Sequence, residues 1–140
     1  MRKPLHALAA VLAAPAFLLA AAEAVWVRVA ASPESQTFVD AGSIERDAKG
    51  RISVWTRTVY AAPQRALGIP YVVDMTQFVL DCSNVRYRLS GGKIFDAEGK
   101  VLQQFDAPYD DLQPIPPSTK IDAVAKAVCT ANGGARRTKN

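Results

Sequence analysis

The chain has 140 residues, with 17 Lys and Arg against 13 Asp and Glu, one histidine and two cysteines. Its net charge of +4 sits at the ends, because Arg2 and Lys3 open the chain and Arg136, Arg137 and Lys139 close it. The body from Val25 to Gly133 is balanced, twelve basic against twelve acidic residues, and so lacks the clustered positive field that nucleic-acid binding requires.

Residues 1–24, "MRKPLHALAAVLAAPAFLLAAAEA", have a charged start, an apolar middle and an Ala22-Glu23-Ala24 exit. That pattern predicts a secretory signal peptide cut before Val25. An uncleaved anchor is the rival reading, but alanine dominates the run and Pro15 interrupts it. No cysteine lies near the cut, so the chain is not expected to be a lipoprotein, and no later run is long enough to predict a transmembrane segment. The expected location is the periplasm or the medium. The remaining 116 residues are the usual size of one domain, placed at 25–133, followed by a basic tail at 134–140 without apolar periodicity. In an oxidising compartment two cysteines usually pair. A Cys82–Cys129 bridge would close a loop of about 48 residues and stabilise the fold by roughly 4 kcal/mol.

Most of the mature chain reads as short strands. "VWVRVA" (25–30) and "QTFVD" (36–40) come first, the second ended by "AGS". Asp47-Ala48-Lys49-Gly50 is a hairpin signal before a long strand with Ile52, Val54, Thr56, Thr58 and Tyr60 on one face and Trp55, Arg57 and Val59 on the other. Large apolar groups on both faces predict a central strand. Pro63, Gly68 and Pro70 break the alternation over 61–75, which reads as a long connection and the candidate contact loop. "TQFVLDC" (76–82) turns Phe78, Leu80 and Cys82 one way, and 84–96 turns Val85, Tyr87 and Leu89 inward, with Gly91-Gly92-Lys93 read as a turn. "DAEGK" (96–100) is a second hairpin signal leading into "VLQQFD". After a Pro-rich connector, Ile121, Val124, Ala125, Val128 and Cys129 form one helical stripe, with Ser118 or Thr119 as cap and Gly133 as stop. The expected fold is α+β: one antiparallel sheet of five to six strands packed on a C-terminal helix, with the bridge tying the two.

Reagents for catalysis are few. The only histidine, His6, lies in the signal peptide, so the mature chain has no Ser-His or Cys-His pair and no His-bearing zinc site. No phosphate loop or dinucleotide fingerprint occurs. Asp110 and Asp111 near Asp106 lack the spacing of a calcium loop and read as a solvated acidic loop. Asp40 and Asp81 could in principle act as acid and base across neighbouring strands. The simpler reading makes Asp40 the cap of the "AGSI" turn and Asp81 a partner of Arg57 or Arg86. Trp26 and Trp55 could stack on a ligand, though packing on the sheet is the simpler role. The expectation is no enzyme, no cofactor and no metal.

A set of ordered elements carries a resemblance: Trp26; Phe38, Asp40, Ser43 and Ile44; Val54-Trp55; Asp81-Cys82; Arg86-Tyr87; Gly99 and Val101; Ile115, Pro117 and Ser118; Val128-Cys129. Together they resemble the surface-adhesin protein E-like domain, a small exported bacterial module of Gram-negative envelopes. The resemblance implies an antiparallel sheet with a C-terminal helix, a Cys82–Cys129 disulfide and a protein partner of unknown identity. The namesake is a lipoprotein that binds host matrix and plasma proteins. This chain departs from it in having no lipid-acceptor cysteine, and Leu112 where an aromatic is expected. Two functions follow as expectations: an adhesin-like, non-enzymatic module binding protein through a sheet edge or the 61–75 loop, or a periplasmic protein that regulates or stabilises an envelope partner.

Overall fold

The computed structural model describes residues 22–108 and 110–131. Residues 1–21 of the expected signal peptide, the expected stop at Gly133 and the tail 134–140 lie outside the described residues. In chain order the elements are β1 (Trp26–Ala31), β2 (Ser35–Asp40), a 3-10 turn (Ala41–Ser43), β3 (Glu45–Arg46), β4 (Ile52–Ala66) and β5 (Ile69–Asp81). Then follow β6 (Arg86–Phe95), β7 (Val101–Asp106), β8 (Gln113–Pro114) and α1 (Lys120–Ala131). All strand pairs are antiparallel, in the order β1-β2-β4-β5-β6-β7, with β3 added to β4 and β8 to β6. The sheet therefore has 8 strands among the described residues, more than the expected five to six. The two-residue β3 and β8 are too short to show an alternation in sequence.

Two turns share one construction. At Asp47 the carboxylate accepts from the N–H groups of Lys49 and Arg51 (both 2.9 Å), and Gly50 takes φ +78°. At Asp96 the carboxylate accepts from Glu98 and Lys100 (3.0 and 2.8 Å), and Gly99 takes φ +83°. The side chain closes the turn and glycine supplies the left-handed residue, so both hairpin expectations hold at these positions. Gly91 and Gly92, expected in a turn, instead lie within β6. A Cβ on Gly92 would sit 2.5 Å from the Phe105 ring and 2.8 Å from the Met75 carbonyl, so the missing side chain lets Phe105 of β7 lie over β6.

The helix covers one sheet face. Ile121, Val124, Ala125, Val128 and Cys129 are buried against Val39, Ile52, Val54, Phe78 and Leu80, the stripe and the strand face that periodicity predicted. Each of the buried Ile, Val, Leu and Phe side chains contributes about 1.5–3 kcal/mol. Thr119 caps the helix, its Oγ1 accepting from the Asp122 N–H at 3.3 Å, while Asp122 accepts from Ser118 N–H at 3.0 Å. Cys129 in the last turns is bonded to Cys82 just past β5, with Cα atoms 5.7 Å apart. Of Val85, Tyr87 and Leu89, expected to face inward, Tyr87 packs against the helix-side core; Val85 sits in the preceding turn at φ +53°, and Val85 and Leu89 are each about 40% exposed.

Among the described residues the opposite sheet face carries no helix. Its far end is crossed by the connector after β7, where Asp110 pairs with Arg88 (3.3 Å) and Arg51 (3.7 Å). Val79, paired with Ser53 and Arg88 on that face, is buried there. The chain then rounds the edge of β6 through β8, held by Arg86 donating to the Leu112 carbonyl, and reaches the core at Ile115.

Candidate functional site

The segment 61–75 is not an irregular connection. β4 and β5 run through it as a two-stranded ribbon, Gln64 opposite Tyr71, Arg65 opposite Pro70 and Ala66 opposite Ile69, closed by Leu67 and Gly68. Its alternation breaks for a local reason. The pairing of β2 with β4 ends at Tyr60, and that of β6 with β5 begins at Val73, so the ribbon has no third strand on either side. Proline is tolerated where no neighbour needs its N–H. Pro63 falls in the register shift between Val59 and Gln64, and Pro70 lies near the tip.

At the tip both turn residues take left-handed φ, Leu67 +50° and Gly68 +80°, as a type I′ turn requires. Asparagine or glycine is usual at the first position; a leucine there costs on the order of 1 kcal/mol. Leu67 is also 90% exposed. Arg65 donates to the Gly68 carbonyl at 3.1 Å, bracing the turn. Local strain and an unburied aliphatic group therefore coincide at one residue.

The base of the ribbon is fixed to the helix. The rings of Tyr60 and Tyr71 meet edge to face across it, centroids 5.8 Å apart. The Tyr60 hydroxyl donates to Asp74 at 2.6 Å, Asp74 faces the Lys120 ammonium at 3.6 Å, and Lys120 donates to Thr58 at 3.2 Å. Thr37 and Thr58 share a further hydrogen bond of 3.3 Å, and Thr76 donates to Asp74 at 3.4 Å. The inner face at this end is therefore polar although buried. Burial, then the bond to Asp74 and its negative charge, push the Tyr60 hydroxyl well above the ordinary tyrosine range; burial and Asp74 push Tyr71 upward too. No sequence spacing relates Lys120 to Tyr60 and Asp74, so this anchor was not legible. Beside it an open cleft of about 490 Å³ separates the β1–β2 turn from the start of α1, lined by Ser32, Thr37, Thr119, Lys120 and Lys126 among others.

The other sequence candidates are placed apart. Asp40 caps the 3-10 turn as expected, accepting from Gly42 N–H at 3.0 Å and Val25 N–H at 2.9 Å. Asp81 closes the β5–β6 turn by accepting from Asn84 N–H (3.1 Å) and Asn84 Nδ2 (2.7 Å), not from Arg57 or Arg86. β2 and β5 lie on opposite sides of β4, so Asp40 and Asp81 are not on neighbouring strands. Asp110 stays mostly exposed, as expected of a solvated loop, and in addition faces Arg88 and Arg51. Trp26 and Trp55 are half-buried on the face away from the helix. Among the described residues no helix is long and apolar enough to cross a membrane.

A family model described as surface-adhesin protein E matches residues 26–130, and the chain belongs to that family. No match was found among curated proteins or among solved structures.

Proposed function

We propose that this surface-adhesin protein E domain, residues 25–133 behind a signal peptide at 1–24, is an exported, non-enzymatic binding module of the bacterial envelope. It engages a protein partner through the β4–β5 ribbon within 61–75. The observation that carries the reading is Leu67, a strained and 90% exposed aliphatic residue at the tip of a ribbon without flanking strands. Strain retained at a residue left this exposed among the described residues supports a role in a contact outside the domain. The anchor of Tyr60, Asp74 and Lys120 supports it by holding the ribbon base in place, which limits the ordering cost of binding. The free edge of β7 is a secondary contact surface, with Val101 and Phe105 both partly exposed.

The test is crosslinking in intact cells of a tagged chain. Wild type is expected to form discrete higher-mass complexes that Leu67→Asp loses and Glu98→Gln, at an exposed turn position, keeps. Retention of every complex by a folded Leu67→Asp variant would contradict the ribbon reading.

A second reading rests on the expectation that no cysteine carries a lipid anchor, which the pairing of both cysteines in the Cys82–Cys129 bridge supports. A chain without that anchor fits a periplasmic protein that regulates or stabilises an envelope partner. Protease treatment of intact cells separates the two, since a surface-displayed chain is degraded and a periplasmic one survives.

A further inference from the structure

The face away from the helix carries an ordered row of side chains that the ribbon does not use. Register places Arg28 beside Phe38, Phe38 beside Arg57, Arg57 beside Met75, and Met75 beside Lys93. Paired residues share a face, so cations and apolar groups alternate across five strands. Adjacent cations in the row are two strand spacings apart, on the order of 10 Å. Among the described residues the side chains of Arg57 and Lys93 have no hydrogen-bond or ion-pair partner, and Arg28 reaches only Gln36 at 3.5 Å. Arg57 stands on the central strand and is half-buried. A half-buried guanidinium among apolar neighbours, with no counter-charge among the described residues, can take an anion from a partner.

Shape adds the rest. The same face forms a depression of about 220 Å³ lined by Trp26, Arg57, Val73, Met75, Phe95 and Gly99, which runs across the strands from β1 toward the β6–β7 turn. The depression sets apolar and aromatic side chains around Arg57, while Arg28 and Lys93 stand outside its lining, on the same face by register. A polyproline-II segment repeats every three residues at about 3.1 Å each, so its equivalent side chains recur at roughly 9.3 Å. That interval matches the spacing of Arg28, Arg57 and Lys93. Proline rings between the charges would rest on Phe38, Met75 and the aromatic walls, as proline-rich segments do in other aromatic-lined grooves.

We propose that the uncovered sheet face binds an extended, proline-rich segment of a partner protein bearing an acidic side chain at every third position, paired with Arg28, Arg57 and Lys93. The inference deepens the protein-binding reading but uses a surface separate from the ribbon. The test uses the purified mature domain and a fluorescent synthetic peptide of Glu-Pro-Pro repeats, read by anisotropy at low salt. A control peptide of the same composition has its glutamates contiguous. The repeat peptide is expected to bind at least fivefold more tightly than the control. Arg57→Gln and Lys93→Gln are each expected to weaken it about five- to tenfold, while Lys100→Gln, outside the row, leaves it unchanged. Circular dichroism and an intact disulfide establish that the variants are folded. Equal binding of the two peptides, no binding of either, or undiminished binding by folded Arg57→Gln and Lys93→Gln would each overturn the proposal. So would binding of a sulfated polysaccharide, run as a parallel probe, in place of the peptide. Leu67→Asn is expected to leave peptide binding intact, so failure on this face and failure of the ribbon reading are told apart.

Discussion

Replacing Leu67 by asparagine should stabilise the domain while weakening its binding. Leu67 is 90% exposed, so the substitution gives up almost no buried apolar surface. Its φ of +50° is one that leucine adopts at a cost and asparagine tolerates, since a short polar side chain satisfies the backbone locally. With Gly68 following at φ +80°, the variant acquires the Asn-Gly pair that type I′ turns prefer. The relief is expected to be about 0.5–1 kcal/mol. For a domain near 110 residues that corresponds to a rise in Tm of roughly 2–6 °C. Thermal unfolding followed by circular dichroism, with the disulfide intact, measures it. A fall in Tm would show that Leu67 packs against the domain and would refute the view of it as strained and unpartnered.

Further expectations follow from other parts of the fold. Cys82→Ala with Cys129→Ala, made together, should lower stability by about 3–4 kcal/mol, seen as a lower urea midpoint, because the bridge closes a loop of sequence separation 47; an unchanged midpoint would contradict it. Gly92→Ala should destabilise by about 1–3 kcal/mol, since the Met75 carbonyl at 2.8 Å cannot move aside; Phe105→Ala added to it should restore only part of the loss in chemical denaturation. Tyr60 is protonated more tightly when folded than when unfolded, so its contribution is complete below its ordinary pKa of 10.0 and is lost as pH rises toward the folded value. Stability should therefore fall above about pH 10, and Tyr60→Phe should flatten that slope in pH-dependent denaturation; the same slope in both proteins would contradict the assignment.

What could be read in the sequence follows from how local each feature is. The helix and its buried stripe were legible because Ile121, Val124, Ala125, Val128 and Cys129 repeat within one element, and the bridge was expected because two cysteines usually pair in an oxidising compartment, with Cys82 on the strand face of Phe78 and Leu80. The ribbon was not, because Pro63, Gly68 and Pro70 are breakers inside a sheet and become harmless only where β2 and β6 stop short. Asp81 was matched to the wrong partner because a nearby arginine and a turn asparagine compete for the same carboxylate, and the tighter local turn wins at 2.7 Å. The anchor of Tyr60, Asp74 and Lys120, and the row from Arg28 to Lys93, join residues that only strand register and helix placement bring together.

The most direct measurement of the ribbon's role is a photo-crosslinking amino acid introduced at position 67 in living cells, compared with the same group at the exposed Glu98 in the β6–β7 turn. Covalent adducts to a discrete protein from position 67, absent from position 98, are the expected result. Adducts of the same pattern from both positions, or from position 98 alone, would contradict the ribbon as the contact surface.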